Sequence, residues 1–269
     1  MHPYPHLLTA TDELEGLRIL LECILTSGRR NGAYLEIVGC LLSIDFRQNR
    51  WEDFCNLRGA YLEAGGEICR AGWDRATRVY TNRADKPTKP SYLNRLVAFP
   101  DKPRKWTSAT KGLNQIEKIS IELAKKPGFS NLSFVILRPA DLYDQFRPGY
   151  VPCAIAGDFK FREGRIDLSV MFRTSDALAV GYADIYYMRL LQMQVLRLAK
   201  EKAMNVTLDE AEIGMLNMYL CRTFVQRTRT SKNGVRMDGL KAANAVVGLI
   251  KAHQIAPPDE PTPLGQLRL

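Results

Sequence analysis

A short turn sequence between two strand-like segments constrains the fold more than any other feature of this chain. Residues of strand character cover about 153–162 and 165–174, and Arg162-Glu163-Gly164 stands between them. A short glycine-containing connection between two such segments predicts an antiparallel β-hairpin. If the turn centres on Glu163, paired positions sum to about 326, so Cys153 is expected to face Arg173.

The rest of the chain mixes helical and strand patterns, which predicts a single α+β domain over residues 1–269. The segment 82–107 is poor in apolar residues and rich in proline, and it is expected to be an exposed loop. A proline-rich tail follows from Pro257. Helices are predicted at about 12–27, 51–80 (interrupted at Gly65-Gly66 and Gly72), 112–126 and 237–253, with a long one from between Ala177 and Asp184 to Met204; further strands are predicted at 34–46, 132–137 and 211–220.

Length and composition are those of an ordinary globular protein. The 269 residues are 46% hydrophobic and 25% charged, which is enough for a sizeable core. No apolar run approaches the roughly 18 residues that cross a bilayer, and no secretory signal is recognisable, so a cytoplasmic protein without membrane contact is expected. Three histidines and no CxxC pair argue against a metal site. The net charge of +9 favours an anionic partner: nucleic acid, phosphorylated metabolite or polyglutamate.

Cys153 is the first candidate for chemistry. In the predicted hairpin its thiol and the guanidinium of Arg173 would be neighbours, and a nearby cation stabilises thiolate over thiol. A cysteine with a lowered pKa is a nucleophile near neutral pH. The alternative is a buried structural cysteine beside a surface arginine, and spacing alone favours that alternative.

Asp184 is the second candidate. From Ala177 to Met188 it is the only ionisable acid or base apart from tyrosines. A carboxylate in so apolar a stretch must cap a helix, find a partner or take up a proton. Capping a helix that begins at Ile185 is the alternative to a functional role.

Taken together, these residues resemble the thymidylate synthase and deoxycytidylate hydroxymethylase superfamily. In that family a Pro-Cys nucleophile is followed at a fixed distance by Arg-Ser-x-Asp and then by a residue that reads the base. Here Pro152-Cys153 precedes Arg173-Thr174-Ser175-Asp176, and Asp184 follows. The resemblance implies a thymidylate synthase-like fold, with a mixed central sheet, a long buried helix and flanking helices.

The resemblance spans about residues 28–222. It places Arg29 at the arginine of the family's phosphate-binding loop, with Arg30 beside it, and Asn217-Met218-Tyr219 where the family has a His-x-Tyr that grips the sugar. The other similar segments are Leu35–Gly39, Arg104-Lys105-Trp106, Asn114-Gln115 through Pro127, and Arg138-Pro139-Ala140-Asp141.

The residue at position 184 indicates the branch of the family. Thymidylate synthases have asparagine there, whose amide offers a carbonyl to uracil N3–H and an amino group to O4. A carboxyl group can accept from the cytosine amino group and share a proton with N3, so aspartate suits cytosine. This sequence therefore resembles the cytidylate hydroxymethylases, and a mismatch in buried hydrogen bonding makes such a residue discriminating.

The resemblance implies a transferase that uses 5,10-methylenetetrahydrofolate as co-substrate. Cys153 would add to C6 of CMP or dCMP, and C5 would then attack the one-carbon unit, giving a 5-hydroxymethyl product. Arg173 would keep Cys153 ionised and touch the phosphate. The implied substrate-binding residues are Arg29, Arg30, Arg173, Thr174, Ser175, Asp176, Asp184, Asn217 and Tyr219.

The resemblance also implies a catalytic glutamate and a folate site. Glu52 is assigned to proton shuttling because Glu52 to Gly59 keeps the spacing of the family's Glu-to-Gly helix, with Glu63 and Glu67 as reserves. A glutamate on a solvated helix face is the alternative. Trp73 and Trp106 are assigned to the folate side. The family pairs its sheets as a homodimer, so a homodimer is expected.

The sequence departs from the family at the phosphate. Where the family has an arginine pair lent by the second subunit, this chain has Ser130-Asn131. Two other functions therefore stay open beside the hydroxymethylase: a non-catalytic nucleotide- or RNA-binding protein, and a folate-dependent pyrimidine methyltransferase. Nucleic acid as the partner is the less favoured interpretation. The candidate substitutes for the pair are Arg29, Arg30, Lys125, Lys126 and Arg138.

Overall fold

A mixed β-sheet organises the molecule in the computed structural model, which describes residues 6–81, 90–99, 112–138, 141, 151–203, 208–231 and 233–255. The strands are β1 (His6–Ala10), β2 (Arg29–Asn31), β3 (Tyr34–Asp45), β4 (Ser133–Val135), β5 (Ala154–Arg162), β6 (Arg165–Phe172), β7 (Ser175–Asp176), β8 (Glu212–Gln226), β9 (Thr228–Thr230) and β10 (Arg236–Asp238).

The main sheet has the strand order β1-β3-β8-β6-β5-β4, with β2 beside β3 and β7 beside β8. The pairs β1–β3, β6–β8 and β7–β8 are parallel, and the other described pairs in the sheet are antiparallel. Strands β9 and β10 form a separate antiparallel pair. The described part of the chain is therefore a mixed sheet with helices, as the α+β prediction required.

The described helices pack around one long central helix. They are α1 (Glu13–Ser27), α2 (Trp51–Asn56), α3 (Arg58–Ala64), α4 (Gly66–Tyr80), α5 (Tyr92–Val97), α6 (Gln115–Lys125), α7 (Ala177–Lys202) and α8 (Gly239–Ile255). Helix α7 is the central one, and its buried positions extend from Ala177 to Ala199. Its N-terminus is capped by Asp176, whose carboxylate accepts a hydrogen bond from the backbone N–H of Ala179 at 3.2 Å.

The two faces of the sheet differ in burial. The row Leu42, Met218, Val170 and Phe134 is buried, as expected for the face that packs on the helices. The neighbouring row faces the other way, since side chains alternate along a strand. Its members across six strands are Leu7, Leu41, Tyr219, Met171, Ala156 and Val135. Leu7, Tyr219, Met171 and Val135 are 40–66% exposed, so this face carries an apolar stripe open to solvent.

Several elements differ from the sequence predictions. The expected loop 82–107 contains α5, whose Arg95 is fully buried and paired with Asp141 at 2.5 Å. Gly72 does not interrupt α4; the breaks fall at Leu57 and Gly65. Strand β8 continues to Gln226, beyond the predicted end, and the short strands β1, β2, β7, β9 and β10 were not predicted. The tail from Pro257 lies outside the described residues.

Gly72 marks the closest approach of α4 to α7. A Cβ atom at this position would lie 1.9 Å from the backbone oxygen of Ala179. Only glycine permits this separation, because the neighbouring atoms are backbone rather than movable side chain. The residue that looked like a helix breaker is instead a packing requirement.

A second buried ion pair connects helix α1 with helix α7. Glu13 and Arg189 lie 3.5 Å apart, and their side chains are 1% and 4% exposed. Among the described residues, both oxygens of Glu13 and the Nε and Nη1 atoms of Arg189 have no hydrogen-bond partner. The Arg189 guanidinium stacks 3.8 Å from the Phe46 ring centre. Burial raises the pKa of Glu13 to about 7, against the opposing charge of Arg189.

Candidate active site

The predicted hairpin is present and sets the position of Cys153. Glu163 and Gly164 have φ angles of 50° and 75°, which is the backbone of a two-residue hairpin turn with positive φ at both positions. In most pairs of this hairpin the two residue numbers sum to one more than expected. An irregularity between Ala154 and Ala156 returns the register to the expected one at the start of β5. The backbone N–H of Arg173 consequently donates to the carbonyl of Cys153 at 2.7 Å, so the predicted pairing is confirmed.

Cys153 and Asp184 face the same cavity, which has a volume of about 360 Å³. Because the thiol comes from the start of the hairpin and the carboxylate from α7, the cavity lies where the sheet meets the central helix. The wall is formed by Tyr34, Arg75, Ala76, Val79, Tyr80, Tyr92, Val151, Pro152, Cys153, Thr174, Asp176, Val180, Asp184, Phe224, Gln226 and Arg229. Its size is in the range of sites for small organic ligands.

Asp184 is held by two hydroxyl groups. The Tyr80 hydroxyl donates to Oδ1 at 2.7 Å and the Ser175 hydroxyl to Oδ2 at 2.9 Å. Burial raises the pKa of Asp184 to about 6, while these two hydrogen bonds and the charge of Arg75 lower it. The residue lies inside α7 rather than at its start, so the interpretation of Asp184 as a helix cap is wrong. The cap is Asp176, eight positions earlier.

Cys153 is half-buried and lines the cavity next to Tyr92. The Tyr92 hydroxyl oxygen accepts hydrogen bonds from the backbone N–H groups of Cys153 at 2.8 Å and Ala154 at 3.2 Å. Burial raises the pKa of the Cys153 thiol, and the charge of Asp184 raises it further. Arg173, Arg75 and Tyr92 lower it by less. Arg173 therefore acts on the thiol pKa in the expected direction, but burial and the charge of Asp184 outweigh it.

The Arg173-Thr174-Ser175-Asp176 segment sends its side chains in different directions. Arg173 is exposed, and its Nη2 donates to the carbonyl of Val151 at 3.3 Å. Thr174 lines the cavity, and Ser175 is buried beneath it against Asp184. Asp176 also lines the cavity while it caps α7 and forms an ion pair with Arg229. Arg173 itself does not line the cavity.

Several residues assigned from the resemblance do not line this cavity. Asn217 and Tyr219 lie on β8, on the face of the sheet that carries the apolar stripe, and Asn217 accepts a hydrogen bond from Ser43 at 2.8 Å. Because alternation along β8 turns these two side chains away from the helices, they do not join Cys153. Arg29 and Arg30 are on β2 at the edge of the sheet.

The assigned glutamate and tryptophans are likewise elsewhere. Glu52 is half-buried on α2, and the reserves Glu63 and Glu67 are exposed; none of the three lines the cavity. Trp73 packs edge-on against Tyr182 and Tyr186 in a cluster of aromatic rings, with the Arg58 guanidinium 5.4 Å from its ring centre. Trp106 lies outside the described residues.

The expected substitutes for the phosphate-binding pair do not line the cavity either. Arg138 is buried, and its Nη2 donates to Asp141 at 2.8 Å. Lys125 and Lys126 are exposed at the end of α6, and neither lines the cavity. The geometry excludes Arg138 in particular, since its guanidinium is already engaged.

Among the cavity residues that were not singled out from the sequence are Arg75, Tyr80, Tyr92 and Arg229. Arg75, Ala76, Val79 and Tyr80 follow the spacing of one face of α4, which is a pattern that the sequence does contain. Nothing local connects them to Cys153, because their proximity depends on the packing of α4 against α7.

Comparisons with known proteins add no assignment. No protein-family model matches the chain, and a search of curated proteins found no match. Within the described residues, no helix combines the length and apolar character required to cross a membrane.

Proposed function

We propose that this protein is a folate-dependent transferase that adds a one-carbon unit to C5 of a cytosine nucleotide, CMP or dCMP, and releases the 5-hydroxymethyl product. One observation carries the proposal: a cysteine thiol and a buried carboxylate, from elements far apart in the chain, face one cavity of about 360 Å³. A flat heterocycle between them would meet a nucleophile on one side and a hydrogen-bonding acid on the other.

Asp184 suits the recognition of cytosine. With Tyr80 and Ser175 each donating one hydrogen bond, its oxygens retain lone pairs that can accept from the exocyclic amino group. Its pKa of about 6 means that near neutral pH a proton can be shared between the carboxylate and N3 of the base. Uracil offers N3–H and a carbonyl instead, and it would leave O4 facing the carboxylate.

Base binding and activation of the nucleophile are coupled in this geometry. The charge of Asp184 is one of the causes that keep the Cys153 pKa high. When a ligand shares a proton with Asp184, that negative charge is partly neutralised, and the thiol pKa falls. The thiolate then adds to C6 by forming an S–C6 bond, and the electron pair of the C5–C6 double bond makes C5 nucleophilic.

The folate would supply the electrophilic one-carbon unit to C5. The two tryptophans assigned to it do not form a folate site within the described residues: Trp73 packs in an aromatic cluster and does not line the cavity, and Trp106 lies outside the described residues. No step is therefore derived through the folate. The residues that act on the nucleotide are those of the cavity itself.

The open face of the sheet supports the expected homodimer. Leu7, Tyr219, Met171 and Val135 form an apolar stripe across several strands, and stripes of this kind mark association sites. Met171→Lys would place a charge in its centre. Sedimentation equilibrium should find a dimer for the parent protein and a weaker dimer for this variant; a monomeric parent protein would exclude the homodimer.

A second candidate function, non-catalytic nucleotide binding, is favoured by two observations. The cavity wall contains no glutamate for proton transfer within the described residues, and the Cys153 thiol has a raised rather than a lowered pKa. Such a protein would need the Asp184 contacts without the thiol.

Release of tritium from C5-labelled CMP or dCMP in the presence of methylenetetrahydrofolate tests the proposal. The hydroxymethylase releases tritium with the cytosine substrate, and the Cys153→Ala variant does not. Nucleotide binding without tritium release in the parent protein would point to the second candidate. Formation of dihydrofolate would instead identify a methyltransferase, the third function that the sequence leaves open.

A further inference from the structure

Two arginines face the same cavity as Cys153 and Asp184. Arg75 lies on α4 and Arg229 on β9, and both line the wall. Burial lowers the pKa of Arg229, and the charge of Arg75 lowers it further. The two guanidinium groups therefore repel each other across the cavity wall. Two like charges beside one cavity disfavour each other, and an anion between them relieves that cost.

Both arginines have hydrogen-bond donors to spare within the described part of the chain. Arg229 forms an ion pair with Asp176, but its Nε is buried without a hydrogen-bond partner. Arg75 is exposed and makes no side-chain hydrogen bond or ion pair with any residue that the structure describes. Since a guanidinium carries five N–H donors, the pair can offer several of them to the oxygens of one ligand.

Arg75 is the charged residue of the cavity wall that has no hydrogen-bond or ion-pair partner among the described residues. Asp176 is engaged by Arg229, and Asp184 is engaged by the hydroxyls of Tyr80 and Ser175. Arg75 nevertheless acts on the site, because its charge lowers the pKa of both Cys153 and Asp184. An anionic group bound beside Arg75 would therefore lie within reach of the nucleophile and the carboxylate.

We infer that Arg75 and Arg229 hold the phosphate of a nucleotide ligand. They belong to the same chain as the nucleophile, unlike the arginine pair that the family takes from a second subunit. Guanidinium–phosphate hydrogen bonds are charge-assisted and frequently bidentate, which suits a phosphate monoester. The nucleotide identity of the ligand rests on the proposed function, whereas binding of an anion follows from the two arginines.

A first test uses Cys153 as the reporter and requires no substrate. Alkylation of Cys153 is followed by peptide mass spectrometry with iodoacetate, an anion, and iodoacetamide, which is neutral. The ratio of the two rates cancels changes in thiol pKa, because both reagents attack the same thiolate. Arg75→Gln should lower the iodoacetate-to-iodoacetamide ratio about 5- to 10-fold at low ionic strength.

Arg78→Gln is the matched control, since Arg78 is an exposed arginine of the same helix that does not line the cavity. Its ratio should change by less than about twofold, because exposed charges farther away are screened. An unchanged ratio in Arg75→Gln, or an equal fall in Arg78→Gln, would overturn the inference.

A second test adds ligands to the iodoacetamide reaction. Inorganic phosphate should slow alkylation of Cys153 in the parent protein and in Arg78→Gln, and should protect less in Arg75→Gln and Arg229→Gln. CMP should protect at lower concentration than cytidine. Equal protection by CMP and cytidine, or no protection by phosphate, would overturn the phosphate assignment. Protection by phosphate without tritium release would instead remove the proposed hydroxymethylase and leave the anion site standing.

Discussion

Asp184 lies on α7, and Glu13 of α1 pairs with Arg189 of the same helix. Both carboxylates are buried, yet their surroundings differ. Asp184 accepts two hydroxyl hydrogen bonds and borders a cavity. Glu13 faces Arg189 at 3.5 Å, and neither of its oxygens has a hydrogen-bond partner. Burial raises the pKa of both, to about 6 for Asp184 and about 7 for Glu13.

The comparison separates a raised pKa from a functional site. The two shifts are of similar size, although Glu13 packs in the core and Asp184 borders open space beside a nucleophile. Desolvation raises a carboxyl pKa wherever it occurs. What distinguishes Asp184 is a set of aligned donors and room for a ligand, and these are what a search for active sites should require.

The largest expected effect separates the two regions by function. Cys153→Ala should reduce tritium release by about 10³-fold or more, because the covalent adduct cannot form. Thermal unfolding should change little, since the thiol is only half-buried. Activity retained in this variant would place the chemistry elsewhere.

The next effect concerns stability rather than activity. Glu13→Leu should destabilise the protein by about 3–5 kcal/mol, because it leaves Arg189 buried and unpaired. The double variant Glu13→Leu with Arg189→Met should recover most of that loss. Denaturant unfolding of the three proteins measures both values, and no recovery in the double variant would contradict the assignment of the pair as a structural ion pair.

The same pair predicts a pH dependence. The folded-state pKa of Glu13, about 7, lies above its ordinary 4.5, so between these values the folded protein holds a proton that the unfolded chain has lost. Stability should therefore fall as the pH rises from 4.5 to 7, by up to about 3 kcal/mol. Asp184 adds a parallel fall between about 4 and 6. The double variant should lose the part between pH 6 and 7.

Asp184→Asn should exchange one base for another. An amide offers a donor and an acceptor that complement uracil, so the preference of the parent protein for CMP over UMP should change by about 100-fold or more. Removing the negative charge should also lower the Cys153 pKa, which the pH dependence of iodoacetamide alkylation measures. A variant that keeps both the base preference and the thiol pKa would mean that Asp184 does not face the base.

The smallest expected effect comes from Tyr80→Phe, which removes one of the two hydrogen bonds that distinguish Asp184 from Glu13. Tyr80→Phe removes a hydroxyl that lowers the Asp184 pKa, so this pKa should rise above about 6. The loss of one hydrogen bond should cost about 1 kcal/mol of stability. Carbon-detected NMR titration of the aspartate carboxyl groups follows the shift. Tyr187→Phe is a suitable control, because Tyr187 stacks on Tyr80 but its hydroxyl lies 3.2 Å from Thr77 instead.

The local parts of the structure were predictable from the sequence. The hairpin follows from a two-residue turn between strands, and the pairing of Cys153 with Arg173 follows from counting along it. Helix α1 begins after the capping residue Asp12 and ends before Gly28, both visible in the sequence. Such features depend on neighbours only a few positions away.

The parts that depend on long-range packing were not predictable. Helix α5 was predicted to be loop because the segment 82–107 is poor in apolar residues and rich in proline. Its fully buried Arg95 pairs with Asp141, 46 positions later, which no local pattern shows. Arg75 and Arg229 reach the cavity from two elements distant in sequence. The direction of the Cys153 pKa was missed for the same reason, since counting along a hairpin reveals Arg173 but not the burial by α4 and α7.

Gly72 gives the cavity a width that none of its wall residues determines. It lies one helical turn before Ala76, and its partner Ala179 precedes Val180, so the two walls are held together just outside the ligand space. A methyl group at position 72 would act as a spacer and move α4 away from α7. A substitution at position 72 would therefore change the size of ligand that the cavity accepts, although residue 72 does not line the cavity.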